Sequence, residues 1–265
     1  MNTLMRQRLF RRAAVVLAGC SLACDKKDDA VAPAAAASSL AASTADPAAA
    51  TWHYAIDPKS TVHIDLPGFK ERIKADTTEA AGSLDVVPKD LAKSRGQVRI
   101  DLATFKTSTF GNDKDAAQTR HARTWLEVQV GDKTNEEMRW ADFAIRSIDA
   151  LSAASIPQVA SAHEGSDDVR KVTMTVHGEL LVHGQKVPRE DVVEVAFHYP
   201  AGAASDSRPT RLEITSKQPM RVVLKEHDVG PRDPAGKALE WTANWISKVA
   251  DTADVTVRLG ATTAP

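Results

Sequence analysis

The sequence predicts an all-β fold in which eight or more antiparallel strands form a sandwich or a closed barrel. Apolar and polar residues alternate with a period of two along most of the chain after residue 51, which is typical of strands with one buried and one solvated face. Turn-forming residues separate most of these segments, and few helical patterns intervene. The alternating apolar positions are Trp52, Tyr54 and Ile56; Val62, Ile64 and Leu66; Val98, Ile100 and Leu102; Val172, Met174 and Val176; Val193, Val195, Phe197 and Tyr199; Leu212 and Ile214; Met220, Val222 and Leu224; and Val255, Val257 and Leu259.

Three segments break this alternation and predict helices. Residues 89–93 and 113–124 are expected to form short helical connections. Residues 233–249 predict a longer helix, because apolar residues recur there at helical spacing after an N-cap candidate, Asp233, and a proline at the first helical position. The recurring positions are Leu239, Ala243, Ile246 and Val249. This helix could pack on the outside of a barrel or form a lid over its mouth.

The first nineteen residues have the order of an export signal. Four arginines precede a short apolar run, residues 13–18, which is too short to span a bilayer. The run leads into Leu17-Ala18-Gly19-Cys20, which resembles the lipobox of bacterial lipoproteins, where the cysteine is diacylated and becomes the mature N-terminus. We therefore predict a lipoprotein signal peptide over 1–19 and lipidation at Cys20; the alternative is an ordinary secretory signal with an incidental cysteine. In the lipoprotein family an aspartate after the cysteine signals retention, so Ser21 favours the outer membrane.

Residues 20–51 predict a disordered linker between the lipid anchor and the folded domain. Apart from a charged patch at 25–29, this segment is almost wholly Ala, Ser, Thr and Pro, and it has too little large apolar surface to offset the entropy of ordering. A flexible chain of this length spans roughly 30 Å on average. We predict one folded domain over 52–260 and a flexible tail over 261–265.

Charge and cysteine content exclude several classes of function. The chain has 34 basic and 35 acidic residues, and removal of 1–19, with its four arginines, lowers the net charge from −1 to −5. This balance does not indicate a nucleic-acid-binding surface. The only two cysteines, Cys20 and Cys24, precede the linker, so the domain has neither a disulfide nor a catalytic thiol and must be stabilised by core burial.

Several motifs in the domain resemble those of the YceI-like family. Residues 52–62 resemble its opening, an aromatic residue followed by Ile-Asp-Pro, a serine and an apolar strand. The segment 176–184, Val-His-Gly-Glu-Leu-Leu-Val-His-Gly, is similar to its hairpin. Segments 82–84, 96–107 and 120–128 match further blocks in the same order. The resemblance implies a lipocalin-like, eight-stranded antiparallel barrel in the periplasm that sequesters a long isoprenoid or a similar amphiphile, such as a quinone.

Candidate ligand-binding residues follow from this resemblance and from the alternation. The apolar members of the alternating faces are candidates for the wall of a cavity, and tryptophans are candidates for its rim, because an indole ring can be buried while its N–H stays solvated. The alternative is that the same apolar side chains fill a solid core. The wall candidates are Ile100, Leu102, Val176, Leu180, Val182 and Phe197, and the rim candidates are Trp125, Trp140 and Trp241.

The sequence contains none of the common catalytic motifs. Gly-x-Ser-x-Gly, His-Glu-x-x-His and a glycine-rich phosphate loop are all absent. His177, Glu179 and His183 would share the polar face of an unbroken strand and could bind zinc, but the glycines between them indicate a turn that separates them. We predict a membrane-tethered binding protein without catalysis, cofactor or metal. One alternative is a solid-cored module of the cell envelope that acts in interactions or in a stress response. A second is a metal-dependent hydrolase. The sequence is also compatible with a homodimer.

Overall fold

The computed structural model describes residues 40, 50–68, 72–131, 133–233, 235–240 and 249–264 of the 265-residue chain. The predicted signal peptide, Cys20 and most of the predicted linker therefore lie outside the described residues. Within those ranges, no helix combines the length and the apolar composition needed to cross a membrane.

Antiparallel strands make up most of the described chain. In order they are β1 (Trp52–Ile56), β2 (Thr61–Pro67), β3 (Arg72–Thr77), β4 (Ala80–Val86), β5 (Arg95–Asp101), β6 (Lys106–Thr107), β7 (Gln129–Val130), β8 (Lys133–Thr134), β9 (Trp140–Asp149), β10 (Ala162–Glu164), β11 (Asp167–Val182), β12 (Gln185–Pro200), β13 (Arg211–Ser216), β14 (Met220–Val223) and β15 (Thr252–Thr263). Helix α1 (Lys114–Trp125) lies between β6 and β7, and 3₁₀ turns lie at Leu91–Lys93, Leu102–Thr104, Ile156–Gln158 and Leu224–His227.

Eight of these strands close into a barrel. The neighbours run in the order β1, β4, β5, β9, β11, β12, β13 and β15, and β15 pairs back with β1. The closing pair sets Tyr54 opposite Thr263 and Ile56 opposite Ala261, so the two ends of the domain meet in one ladder. The eight-stranded antiparallel barrel is therefore confirmed, and the open sandwich is not formed.

Further strands lengthen the wall at one end of the barrel, which we call the mouth. Strand β2 follows β1 after a turn at 57–60 and pairs with the first half of β15; β3 pairs with β2, and β6 pairs with β3. Strand β14 pairs with the same half of β15 from the other side. Helix α1, the turn between β11 and β12, and the segment after β14 also lie at the mouth. We call the opposite end the floor.

The floor is closed by an apolar core. Tyr54, Phe197 and Tyr199 are each at most 1% exposed and pack in the same cluster as Leu91. The Tyr54 hydroxyl donates to the carbonyl oxygen of Pro209 over 3.0 Å, so its polar end is satisfied inside the core. Burial of each side chain of this size contributes roughly 2 kcal/mol, so these residues are a substantial stabilising contribution at the floor.

A glycine in β11 allows two barrel strands to pack closely. A Cβ at Gly178 would lie 2.5 Å from the Phe143 ring and 2.6 Å from the carbonyl oxygen of Ala144. The register between β9 and β11 also shifts between His177 and Gly178, as at a β-bulge. Only glycine leaves room here for the Phe143 ring against the neighbouring strand.

The helix predictions hold for two of the three segments. The 3₁₀ turn Leu91–Lys93 and helix α1 confirm the first two. The third is wrong over 235–240, where the chain turns back and Arg232 forms a bridge with Ala238. Asp233 does cap the backbone, but its carboxylate accepts from the amides of Ala235 and Lys237 in a tight turn, and Gly236 supplies the positive φ of 83°. The rest of that predicted helix, 241–248, lies outside the described residues.

Both predicted domain boundaries differ from the observed packing. The predicted tail begins inside β15, because Ala261 is 1% exposed and pairs with Leu212 of β13. In the predicted linker, Leu40 is 3% exposed and packs against Ala144 and Leu181 on the outer face of the barrel. Neither segment has a strong periodic signal, so composition alone gave these boundaries.

Candidate ligand-binding cavity

An apolar cavity of about 560 Å³ lies inside the barrel. Its volume falls within the range of roughly 300–1,000 Å³ that is usual for small-molecule sites. The cavity contradicts the alternative of a solid core. Its wall includes Val62, Ile64, Leu66, Leu84, Val98, Ile100, Phe143, Ile145, Val176, Leu180, Val193, Val195, Phe197, Ile214, Val257 and Leu259.

Strand alternation positions the wall, because every second side chain of a strand points inward. In β9, Ala141, Phe143 and Ile145 line the cavity, which places Trp140 on the outer face. The Trp140 ring lies there beneath two guanidinium groups: Arg99 is 4.8 Å and Arg139 5.3 Å from its centroid. The prediction of Trp140 at the cavity rim is therefore wrong.

The structure brings most of the other candidate residues together. All six wall candidates and the rim candidate Trp125 line the cavity: Ile100, Leu102, Trp125, Val176, Leu180, Val182 and Phe197. Their contact with a ligand stays a prediction. Trp241 lies outside the described residues, so its placement stays a prediction as well.

Helix α1 covers part of the mouth. Gln118, His121, Ala122 and Trp125 line the cavity from this helix. Their spacing of three, four and seven residues puts them on one helical face, a signal that sequence reasoning missed when it treated 113–124 as a connection. The Thr107 hydroxyl anchors the helix by donating to the carbonyl oxygen of Asp115 over 2.9 Å.

Helix α1 packs directly on the segment after β14. Trp125 and Leu126 at the end of α1 contact an apolar cluster formed by Leu224, Val229 and Ala253. Leu224, Val229 and Ala253 also line the cavity. The mouth is therefore narrowed by two separate elements, α1 and the 224–229 segment, that meet above the barrel.

A buried carboxylate, Asp191, also lines the cavity. It is 9% exposed, and the Ser216 hydroxyl donates to its Oδ2 over 2.7 Å. Burial raises the pKa of Asp191 to about 6, against smaller opposing effects of the Ser216 hydrogen bond and of the Val192 backbone amide. Sequence reasoning missed this residue, although Asp191 is in phase with Val193, Val195 and Phe197 in β12, and an acid in an inward phase is a recognisable signal.

A second buried titratable group, His227, lies at the mouth. It is fully buried and lines the cavity, and its Nδ1 lies 3.2 Å from the carbonyl oxygen of Gln185. Burial lowers the pKa of His227, because a charged imidazole is poorly solvated in this position. The ring is therefore neutral near pH 7 and adds little charge to the apolar wall.

Three charged residues and a histidine link the elements around the mouth; we call Glu127, His183, Asp228 and Arg232 the mouth cluster. The His183 Nε2 lies 2.6 Å from Glu127, and Arg232 lies 3.1 Å from Glu127 and 3.4 Å from Asp228. Glu127, His183 and Asp228 all have positive φ angles of 51–52°. Such angles are unfavourable for residues other than glycine, so these contacts hold backbone turns that the local sequence disfavours.

The three residues considered for zinc do not form one site. His177 lies 3.0 Å from Asp149, Glu179 pairs with Arg146, and His183 belongs to the mouth cluster. Among the described residues, no group of three or more histidine, cysteine, aspartate or glutamate side chains is arranged to hold a metal ion.

A closed eight-stranded barrel around an apolar cavity defines the class of lipocalin-like binding folds. A sequence profile of the YceI-like domain matches residues 54–261, and the chain belongs to the YceI-like family. This match confirms the family suggested by the sequence motifs.

Solved structures of two other proteins resemble the chain at low sequence identity. One is a polyisoprenoid binding domain from Saccharophagus degradans implicated in plant cell wall breakdown, with 15% identity, a TM-score of 0.48, and coverage of 80% of this chain and 98% of that one. The other is BcnA from Burkholderia cenocepacia, with 17% identity, a TM-score of 0.47, and coverage of 78% and 99%. A comparison with curated proteins gives no match.

Proposed function

We propose that this protein is a lipid-binding protein that sequesters or carries an isoprenoid or a similar amphiphile, such as a quinone, in the barrel cavity, and that it does not catalyse a reaction. The observation that carries this proposal is the apolar cavity of about 560 Å³, lined mainly by aliphatic and aromatic side chains. A cavity wall of this kind contacts hydrocarbon favourably and offers few groups for chemistry on a polar substrate.

The energetics favour exchange over permanent storage. Transfer of each CH₂ group from water into the cavity contributes about 0.8 kcal/mol. The competing environment of a long amphiphile is a bilayer, however, where the same groups are already removed from water. The net affinity is therefore modest relative to membrane, and loading and release both remain accessible, as a carrier requires.

The simplest test is to extract the purified protein with organic solvent and identify the extract by mass spectrometry. We expect one amphiphile per barrel, with a polyprenyl species as the leading candidate. Repeated extraction without a stoichiometric lipid, combined with no uptake of geranylgeraniol from vesicles, would contradict the proposal.

We further propose that lipid on Cys20 tethers the protein to the periplasmic face of the outer membrane. The support is the sequence Leu17-Ala18-Gly19-Cys20, followed by Ser21. Metabolic labelling with an alkyne fatty acid tests it: Cys20→Ser should abolish labelling and release the protein from the membrane fraction. The matched control Cys24→Ser should keep both. Labelling of Cys20→Ser at the wild-type level would contradict the tether, without bearing on the cavity.

A further inference from the structure

Asp191 is the only acidic residue in the described part of the cavity wall. From the floor towards the mouth, the inward positions of β12 read Phe197, Val195, Val193 and then Asp191. The apolar lining of this strand therefore ends at a carboxylate. An amphiphile that fills the apolar part with its chain would bring a polar group to this level of the wall.

One oxygen of the Asp191 carboxylate accepts a hydrogen bond from the protein, and the other can accept one from a ligand. The Ser216 hydroxyl accepts from the Val257 amide over 3.0 Å, so its single proton is free to be donated to Asp191 Oδ2 at 2.7 Å. This arrangement fixes the orientation of the carboxylate. The other oxygen, Oδ1, is buried and has no hydrogen-bond partner among the described residues. The backbone amide of Val192 also interacts with the carboxylate and lowers its pKa, but it leaves this oxygen unsatisfied. A buried acceptor without a partner is unfavourable, and a donor on a ligand would relieve that cost.

We propose that Asp191 is the polar anchor of the cavity: its Oδ1 accepts a hydrogen bond from the head group of the bound amphiphile. The inference rests on the proposed lipid-binding function and specifies the class of ligand. The cavity selects long apolar molecules that end in a hydrogen-bond donor, such as a hydroxyl or a primary amide. Ethers, esters and quinone rings have only acceptors at that end and would face the carboxylate oxygen without a hydrogen bond. The anchor therefore narrows the proposed ligands to donor-ended amphiphiles and disfavours a quinone.

The test compares two ligands that differ only in the donor: geranylgeraniol and its methyl ether. Binding of each to the full chain is measured by tryptophan fluorescence titration. We expect wild type to bind the alcohol about tenfold more tightly, the size of effect typical for a hydrogen bond to a buried charged group. Asp191→Asn keeps an acceptor for Ser216 but can present an amide N–H₂ to the cavity, so the preference should fall to about onefold to twofold.

The matched control is Glu190→Gln, the neighbouring acid on the same strand, whose side chain is 68% exposed on the outer face. It should keep the wild-type preference. Equal binding of alcohol and ether by wild type, or an unchanged preference in Asp191→Asn, would overturn the anchor while leaving lipid binding intact. Binding of neither ligand by wild type would overturn the proposed function and the anchor together. The wild-type comparison needs no variant, so it tests the preference for a donor even if Asp191→Asn does not fold.

Discussion

The floor and the mouth of the barrel are built on different principles. At the floor, Tyr54, Phe197 and Tyr199 are almost completely buried in one apolar cluster. At the mouth, α1 is half-exposed along its cavity-facing side, and charged groups with unfavourable backbone angles join it to the neighbouring turns. Stability is thus concentrated where the barrel is filled, and ligand access is concentrated where it is left open. The proposed carrier function requires this division.

The largest expected effect is a difference in the free energy of unfolding between a variant at the floor and a variant at the mouth. Tyr199 is 1% exposed, and the Arg170 guanidinium lies 4.8 Å from its ring centroid. Tyr199→Ala should therefore lower the free energy of unfolding by about 3–5 kcal/mol. Trp125→Ala at the mouth should cost less than about 2 kcal/mol but weaken lipid binding, because Trp125 is only half-buried. Urea unfolding of both variants measures the difference, and equal losses would contradict the division between floor and mouth.

The next effect concerns Asp191 and pH. Burial raises its pKa from 3.8 to about 6, so the folded state binds this proton more tightly than the unfolded chain does. The resulting stability is complete below pH 3.8 and is lost as the pH rises to about 6. Asp191→Asn should raise the free energy of unfolding at neutral pH by up to about 3 kcal/mol and flatten this pH dependence. Glu190→Gln should change neither, and a lower stability of Asp191→Asn at neutral pH would refute the assignment.

A cavity-filling pair tests the middle of the barrel. Val176→Phe places a ring in the cavity, whereas Thr175→Phe places the same ring on the outer face of the same strand. We expect Val176→Phe to weaken geranylgeraniol binding by about tenfold or more, equivalent to about 1.4 kcal/mol. Thr175→Phe should bind normally. Normal binding by a folded Val176→Phe would show that the ligand lies elsewhere.

The smallest effect is kinetic and belongs to the mouth cluster. Glu127→Gln weakens the contacts with His183 and Arg232, so ligand transfer to acceptor vesicles should be about two- to fivefold faster. Because the His183 and Arg232 side chains are largely buried, we expect a stability loss of about 1–3 kcal/mol. Glu136→Gln disrupts an exposed pair with Arg139 and serves as the control. If the two variants release ligand at the same rate, the mouth cluster does not control access.

Sequence reasoning succeeded where it used the phase of the strands. Val176, Leu180 and Val182 were assigned to the wall because they share one phase of the strand, and they line the cavity. Trp140 was predicted at the cavity rim from the amphipathic character of indole alone, although Ala141 and Phe143 occupy the inward-facing positions of β9. The phase of β12 would also have found Asp191. The alternation along each strand therefore identifies more of the cavity residues than residue type does.

Other features depend on contacts that a local pattern cannot contain. The pairing of Tyr54 with Thr263 closes the barrel across the whole domain, and nothing in either segment specifies the other. Asp233 was recognised as a cap, but the same carboxylate chemistry serves a tight turn as well as a helix. The mouth cluster joins Glu127, His183 and Arg232 from three distant segments, and it exists only once the barrel has formed.

The most direct test of the central claim is an experimental structure of the protein after incubation with geranylgeraniol. We expect elongated ligand density inside the barrel alongside Val195 and Val193, with the hydroxyl within hydrogen-bonding distance of Asp191 Oδ1. A barrel whose interior is filled by its own side chains, with the alcohol absent or bound on the outer surface, would contradict the account.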